Sequence, residues 1–138
     1  MKMSRESILS VALLCSVLVT NGLALLPETK IGRVDLNDNV FHYTLIERIV
    51  QAVEAGDNPL DCWSPEWSLG YPVLRLYQPV SHLIVAGAYF ALGKTVSLMT
   101  LFVWARWLSV ALLPLSFFGL ARRLGLPELT AAAPLTPA

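Results

Sequence analysis

The sequence predicts an all-α integral membrane protein, with about three apolar helices and an amphipathic juxtamembrane helix in the first extracytoplasmic loop. Three observations predict it. Hydrophobic residues make up 55% of the chain and charged residues only 14%, against roughly 25% charged in soluble domains. The chain has 138 residues, and a chain this small cannot hide so much apolar surface from water. Eight of its ten acidic residues fall between positions 27 and 74, which leaves long uncharged runs on either side. The same arithmetic excludes other classes. Disordered chains are poor in apolar residues and rich in charge. Nucleic acid is not a partner, because ten Lys and Arg balance ten Asp and Glu and no basic stripe is available to neutralise phosphates.

Residues 1–7 carry Lys2 and Arg5 and form a cytoplasmic N-terminus by the positive-inside tendency. Residues 8–26 contain no charge. At about 1.5 Å per residue they nearly cross a hydrocarbon core of roughly 30 Å, and form the first transmembrane helix. A secretory signal is the rival reading. Its apolar region is usually about 7–15 residues, and Gly22-Leu23-Ala24 is a weak cleavage site.

Residues 27–71 form the extracytoplasmic loop. Glu28, Asp35, Asp38, Glu47, Glu54, Asp57, Asp61 and Glu66 make it acidic against Lys30, Arg33 and Arg48. Residues 72–92 form a second apolar helix, transmembrane or re-entrant, with Arg75 near its outer end and Pro79 inside it. Gly93-Lys94-Thr95 is a polar break, and residues 96–120 form a third helix interrupted by Arg106 and Pro114. A central arginine faces protein or water rather than lipid. Three full crossings would leave Arg122 and Arg123 outside, against the positive-inside rule. A re-entrant second helix, or a third helix that begins at Arg106, removes the conflict. Residues 121–138 are a tail rich in Ala, Pro and Thr, either a linker or the broken start of a further segment. Cys15 lies in the first helix and Cys62 in the loop, so a bond between them is implausible.

Within the loop, residues 39–55 read as a helix. Phe41, His42, Leu45, Ile46, Ile49, Val50 and Val53 recur at helical spacing along one stripe, and Gly56-Asp57 supplies the stop. Such a helix lies on the bilayer or against other spans. Asp38 falls at its N-cap, where an Asp ordinarily satisfies orphan N–H groups. His42 is one turn further in. A carboxylate and an imidazole one turn apart also suit a general base and its orienting partner. With Asp35 they could hold a divalent metal ion or a phosphate head group.

Trp63, Trp67, Tyr71 and Tyr77 follow in a loop punctuated by Pro59, Pro65, Gly70 and Pro72. These rings suit an aromatic belt at headgroup depth, or a stacking wall for a sugar. Glu66, between two tryptophans, suits hydroxyl binding or a second acid. His82 reads as a packed, hydrogen-bonded residue. Two histidines 40 residues apart without a cysteine pair give no zinc-ligand spacing. No phosphate loop, nucleophile elbow or dinucleotide fingerprint is present.

Several of these residues together carry a resemblance. They are Asp38-Asn39-Val40-Phe41-His42, the run from Trp63-Ser64-Pro65-Glu66-Trp67 to Gly70-Tyr71-Pro72, Tyr77-Gln78-Pro79-Val80, and the ending from Leu113-Pro114-Leu115 to Ala121-Arg122-Arg123. Over roughly residues 5–126 the chain resembles the start of bacterial multi-spanning proteins with a 6-pyruvoyl-tetrahydropterin synthase-related membrane domain. These are similar to GT-C class glycosyltransferases, which use polyprenyl-phosphate sugars. The resemblance implies that Asp38 activates an acceptor or holds a metal, with His42 beside it in the pocket. It implies that Tyr77 and Pro79 mark a loop-to-helix junction, and that Arg106 and Ser109 match an Arg-x-x-Ser. It also implies a multi-pass protein of the inner membrane, of which this chain is an N-terminal fragment, inactive alone. Gln78 and Val80 depart from the common Pro and Leu. The second hypothesis is a small non-catalytic membrane protein whose loop anchors it or binds a partner.

Overall fold

The computed structural model describes residues 4–31, 37–65 and 70–133. Among these the chain is helical, with no strand. The one strand-like pairing is an isolated antiparallel bridge between Ser64 and Tyr71. The chain divides into two compact units, one made of Met1–Lys30 and Arg106–Ala138, the other of Ile31–Ala105.

In the first unit, helix α1 (Arg5–Leu25) starts at Ser4, whose hydroxyl accepts the Ser7 N–H at 3.1 Å. It is followed directly by a 3₁₀ turn over Leu26–Lys30. Helix α5 (Leu98–Ala111) begins in the second unit and ends in the first. Leu112 turns the chain, and α6 (Leu113–Arg123) continues with Pro114 in its first turn, where a missing N–H costs nothing. Arg122 and Arg123 close α6 at the negative end of its dipole. Within the expected tail, Glu128–Ala132 is helical. This short helix, α7, packs on α1 and α6, held where Ser7 donates to Glu128 at 2.7 Å.

Two helical stretches among the described residues, Arg5–Lys30 and Leu98–Arg123, are long and apolar enough to cross a membrane, each 26 residues. Only 11% and 17% of their apolar windows are buried inside the chain, whereas the core helix of a water-soluble protein is mostly covered.

The second unit holds the core. Helix α2 (Asp38–Ala55) buries Leu45, Ile46, Ile49, Val50 and Ala52. Val53, expected on this stripe, is 42% exposed. Ala52 joins the stripe instead, because it lies two turns beyond Leu45. Gly56 ends α2 at φ 79°, and the Asp57 N–H reaches back to the Ala52 carbonyl at 2.8 Å. That bond needs a left-handed residue between, which glycine supplies without steric cost.

The run 72–92 is not one helix. It forms α3 (Val73–Leu76) and α4 (Val80–Ala91), with Tyr77 extended between them. Pro79 disfavours helical backbone at the residue before it, so the chain breaks there and α4 starts afresh. At about 1.5 Å per residue the 12 residues of α4 fall short of a bilayer core.

Helices α2 and α4 pack together and run parallel. His42 meets His82 near both N-termini, and Glu54 meets Lys94 at 2.5 Å near both C-termini. The offset is 40 residues at each end. The connection between them must therefore travel back along α2. It does so through a 3₁₀ turn (Pro59–Asp61), the Ser64–Tyr71 bridge and α3. Val73 and Leu74 of α3, Val85 and Ala86 of α4, and Phe102 and Val103 of α5 complete the core.

Candidate functional site

The N-terminal half of α2 carries the candidate site. Asn37, not Asp38, is its N-cap. Asn37 has extended backbone, and its side-chain oxygen accepts the Asn39 N–H at 2.9 Å. Asp38 is the first helical residue and is exposed. This corrects the expected cap. Cap geometry requires a non-helical residue, and the Asn one position earlier meets it. The cap bond thus does not engage the Asp38 carboxylate, which lies one helical turn before His42.

His42 is half-buried among aromatic rings. Its centroid lies 5.7 Å from Phe41 and 5.9 Å from Tyr77, and Phe41 meets Tyr77 edge-on at 5.2 Å. Its Nδ1 lies 3.0 Å from Nε2 of His82. His82 is 3% exposed, and its own Nδ1 lies 3.1 Å from the backbone carbonyl of Gln78. His82 is therefore packed and hydrogen-bonded, but its partner is the other histidine. The 40 residues between them disappear in the parallel register of α2 and α4.

The other predicted residues are dispersed. Trp63 is 57% exposed. It lines a pocket of about 500 Å³ with Arg48, Gln51, Asp57, Asn58, Asp61 and Cys62. That pocket borders the C-terminal half of α2, reaching Ala55, and His42 does not line it. At 1.5 Å per residue, 13 residues of helix place Ala55 about 20 Å beyond His42. Tyr71 lies in the bridge with Ser64, its carbonyl accepting the Ser64 N–H at 3.2 Å. Arg106 belongs to the first unit, where its guanidinium donates to Glu28 at 2.6 Å. Pairing a partly buried arginine with a carboxylate is how an apolar segment tolerates one. Asp35, Glu66 and Trp67 lie outside the described residues.

Among the described residues no three His, Cys, Asp or Glu side chains gather into a metal-binding group. One charge at the Trp63 pocket, that of Asp61, is fixed by pairing. Arg75 donates to Asp61 and holds its carboxyl below the usual range, and Asn58 donates to the same carboxylate at 3.0 Å. Burial pushes the Cys62 thiol up, so it is a poor nucleophile at neutral pH.

In comparisons with known proteins, no family model, no curated protein and no solved structure matches the chain.

The His82 partner, the Gln78 carbonyl and the place of Trp63 were not visible in the sequence. A histidine in an apolar run four residues after Gln78, at the start of a helix, was the one available signal.

Proposed function

We propose that this chain is part of a GT-C-like membrane glycosyltransferase that uses a polyprenyl-phosphate-linked sugar donor. In this reading the two apolar stretches, Arg5–Lys30 and Leu98–Arg123, cross the cell membrane. Helix α2 and the loop after it lie at the extracytoplasmic surface, where a lipid-linked donor presents its phosphate. Asp38 and His42 act as a pair toward an acceptor hydroxyl, one as the general base and the other as its orienting partner. Trp63 offers a ring face to a sugar at the far end of α2, as a subsite separate from the reacting centre.

The observation that carries the reading is the release of Asp38 from capping. Asn37 performs that duty, and Asp38 is left exposed one turn from a histidine held by a second histidine. The macrodipole alone accounts for an acid in the first turn; the histidine pair one turn further on is what helix initiation does not require.

The test is Asp38→Asn in the natural full-length protein, in membrane vesicles supplied with polyprenyl-phosphate sugars. Loss of one member of the acid–base pair lowers transfer by up to about 10²–10⁴-fold, with membrane insertion unchanged. Transfer equal to the unaltered protein would remove Asp38 from the reaction. If the unaltered protein transfers no sugar from any such donor, the non-catalytic anchoring protein becomes the better reading.

A further inference from the structure

We propose that His82 is a positioning residue that locks His42 into a single tautomer, and that Nε2 of His42 is the atom that takes the acceptor's proton. The role given to that atom rests on the glycosyltransferase reading; the tautomer does not. The argument begins at Gln78. A backbone carbonyl only accepts hydrogen bonds. The Gln78 carbonyl lies 3.1 Å from Nδ1 of His82, so Nδ1 carries a hydrogen and donates it. An unprotonated Nδ1 would set two lone pairs against each other. The Ser81 hydroxyl lies 3.5 Å from the same nitrogen, too far to compete. In a neutral His82 the other nitrogen, Nε2, is then an acceptor. It lies 3.0 Å from Nδ1 of His42, so Nδ1 of His42 donates. Neutral His42 therefore holds its hydrogen on Nδ1 and keeps its basic lone pair on Nε2.

The chain of donation is fixed at its far end by backbone. Gln78 lies before α4, which begins at Val80, and its carbonyl receives the His82 ring one turn on at 3.1 Å. His82 is 3% exposed while His42 is half-buried. The inner ring sets the tautomer and the outer ring is within reach of a reactant. This arrangement matches the general logic by which a base is oriented through its second nitrogen.

In the transfer step the acceptor oxygen bonds to the anomeric carbon of the sugar as that carbon's bond to the phosphate oxygen breaks. The bonding pair leaves with the polyprenyl phosphate. The acceptor's proton passes to Nε2 of His42, and the resulting imidazolium keeps its Nδ1–H bond to His82. The exposed Asp38 carboxylate, one turn away, stabilises that positive charge.

The test uses the full chain, labelled with 15N in lipid nanodiscs, at a pH where both imidazoles are neutral. Long-range proton–nitrogen correlation spectra report which nitrogen of His42 carries hydrogen. The expected result is a protonated Nδ1 and an unprotonated Nε2. His82→Gln, whose side-chain carbonyl can stand in for the acceptor nitrogen, should keep that pattern. His82→Phe, which offers no acceptor, should move most of His42 to the Nε2–H form. An Nε2–H form of His42 in the unaltered chain overturns the inference, as does a tautomer that His82→Phe leaves unchanged. In the full-length protein, His82→Phe should lower transfer at least tenfold while His82→Gln retains most of it. Equal loss in both variants overturns the positioning role. A confirmed tautomer in a protein that transfers no sugar refutes the glycosyltransferase reading alone. Transfer with the other tautomer refutes this inference alone.

Discussion

Gly70 has φ 91°, and a Cβ built there would overlap the Trp63 indole at Nε1. Both facts forbid a side chain. Backbone in this region costs a non-glycine residue about 1–3 kcal/mol, and the overlap obliges the indole to move. Gly70→Ala should therefore lower the thermal unfolding midpoint in detergent and reshape the Trp63 pocket, visible as a change in Trp63 quenching. A midpoint within error of the unaltered protein would show that the indole does not rest on Gly70. Asp61 carries a pH prediction. Its carboxyl is held low in the folded chain, first by the hydrogen bond from Arg75. A depressed carboxyl contributes stability above its unfolded pKa, about 3.9, and loses it as pH falls through the folded value. Stability curves of the unaltered protein and of Asp61→Asn should be apart at and above pH about 4, the unaltered protein being the more stable, and should converge as pH falls from there through the folded value. Curves that stay parallel down to the lowest pH would show that the pair adds nothing. The residue types were legible in the sequence: glycine before Tyr71-Pro72, and Asp61 in a turn. Their partners, Trp63 and Arg75, were not, because loop contacts depend on how the chain doubles back.

At the scale of elements, α2 is the part the sequence described best. The expected range 39–55 differs by one residue from Asp38–Ala55, because helical periodicity and a glycine stop are local signals. The cap falls at Asn37, one residue before the expected Asp38, since both are good caps and only backbone geometry selects between them. Asn37→Ala should cost about 1 kcal/mol of stability, and Asp38→Ala much less. Equal losses would return the capping role to Asp38. Ile49 is 1% exposed in the α2 core, and Ile49→Ala should cost about 2–5 kcal/mol, read as an earlier unfolding midpoint in detergent. A loss under 1 kcal/mol would mean the site collapses around the missing atoms. The run 72–92 was harder to read. Apolar composition suggested one continuous segment, while Pro79 and the extended Tyr77 divide it.

Across the whole molecule, the two cysteines give a direct readout. Cys15 is exposed on α1 and Cys62 is partly buried in the loop. If lipid covers α1, a charged, membrane-impermeant maleimide should spare Cys15 in intact cells and modify Cys62 from the extracytoplasmic side. Burial raises the Cys62 thiol pKa, so its labelling should quicken as pH rises. Labelling of Cys15 as fast as Cys62 would remove the lipid from around α1. Labelling of Cys62 from the cytoplasmic side alone would reverse the orientation.

The amino-acid order alone determined the helical class, the apolar runs on either side and the amphipathic helix between them, while offering as a third apolar helix the run 72–92 that the fold divides. These follow from composition and short-range periodicity, which any segment carries by itself. Only tertiary structure decided that α2 and α4 lie parallel, that Arg106 meets Glu28, and that His42 and His82 become one hydrogen-bonded pair. Parallel packing turns a separation of 40 residues into direct contact. No local pattern encodes that register, because it is set by how far the intervening loop carries the chain back.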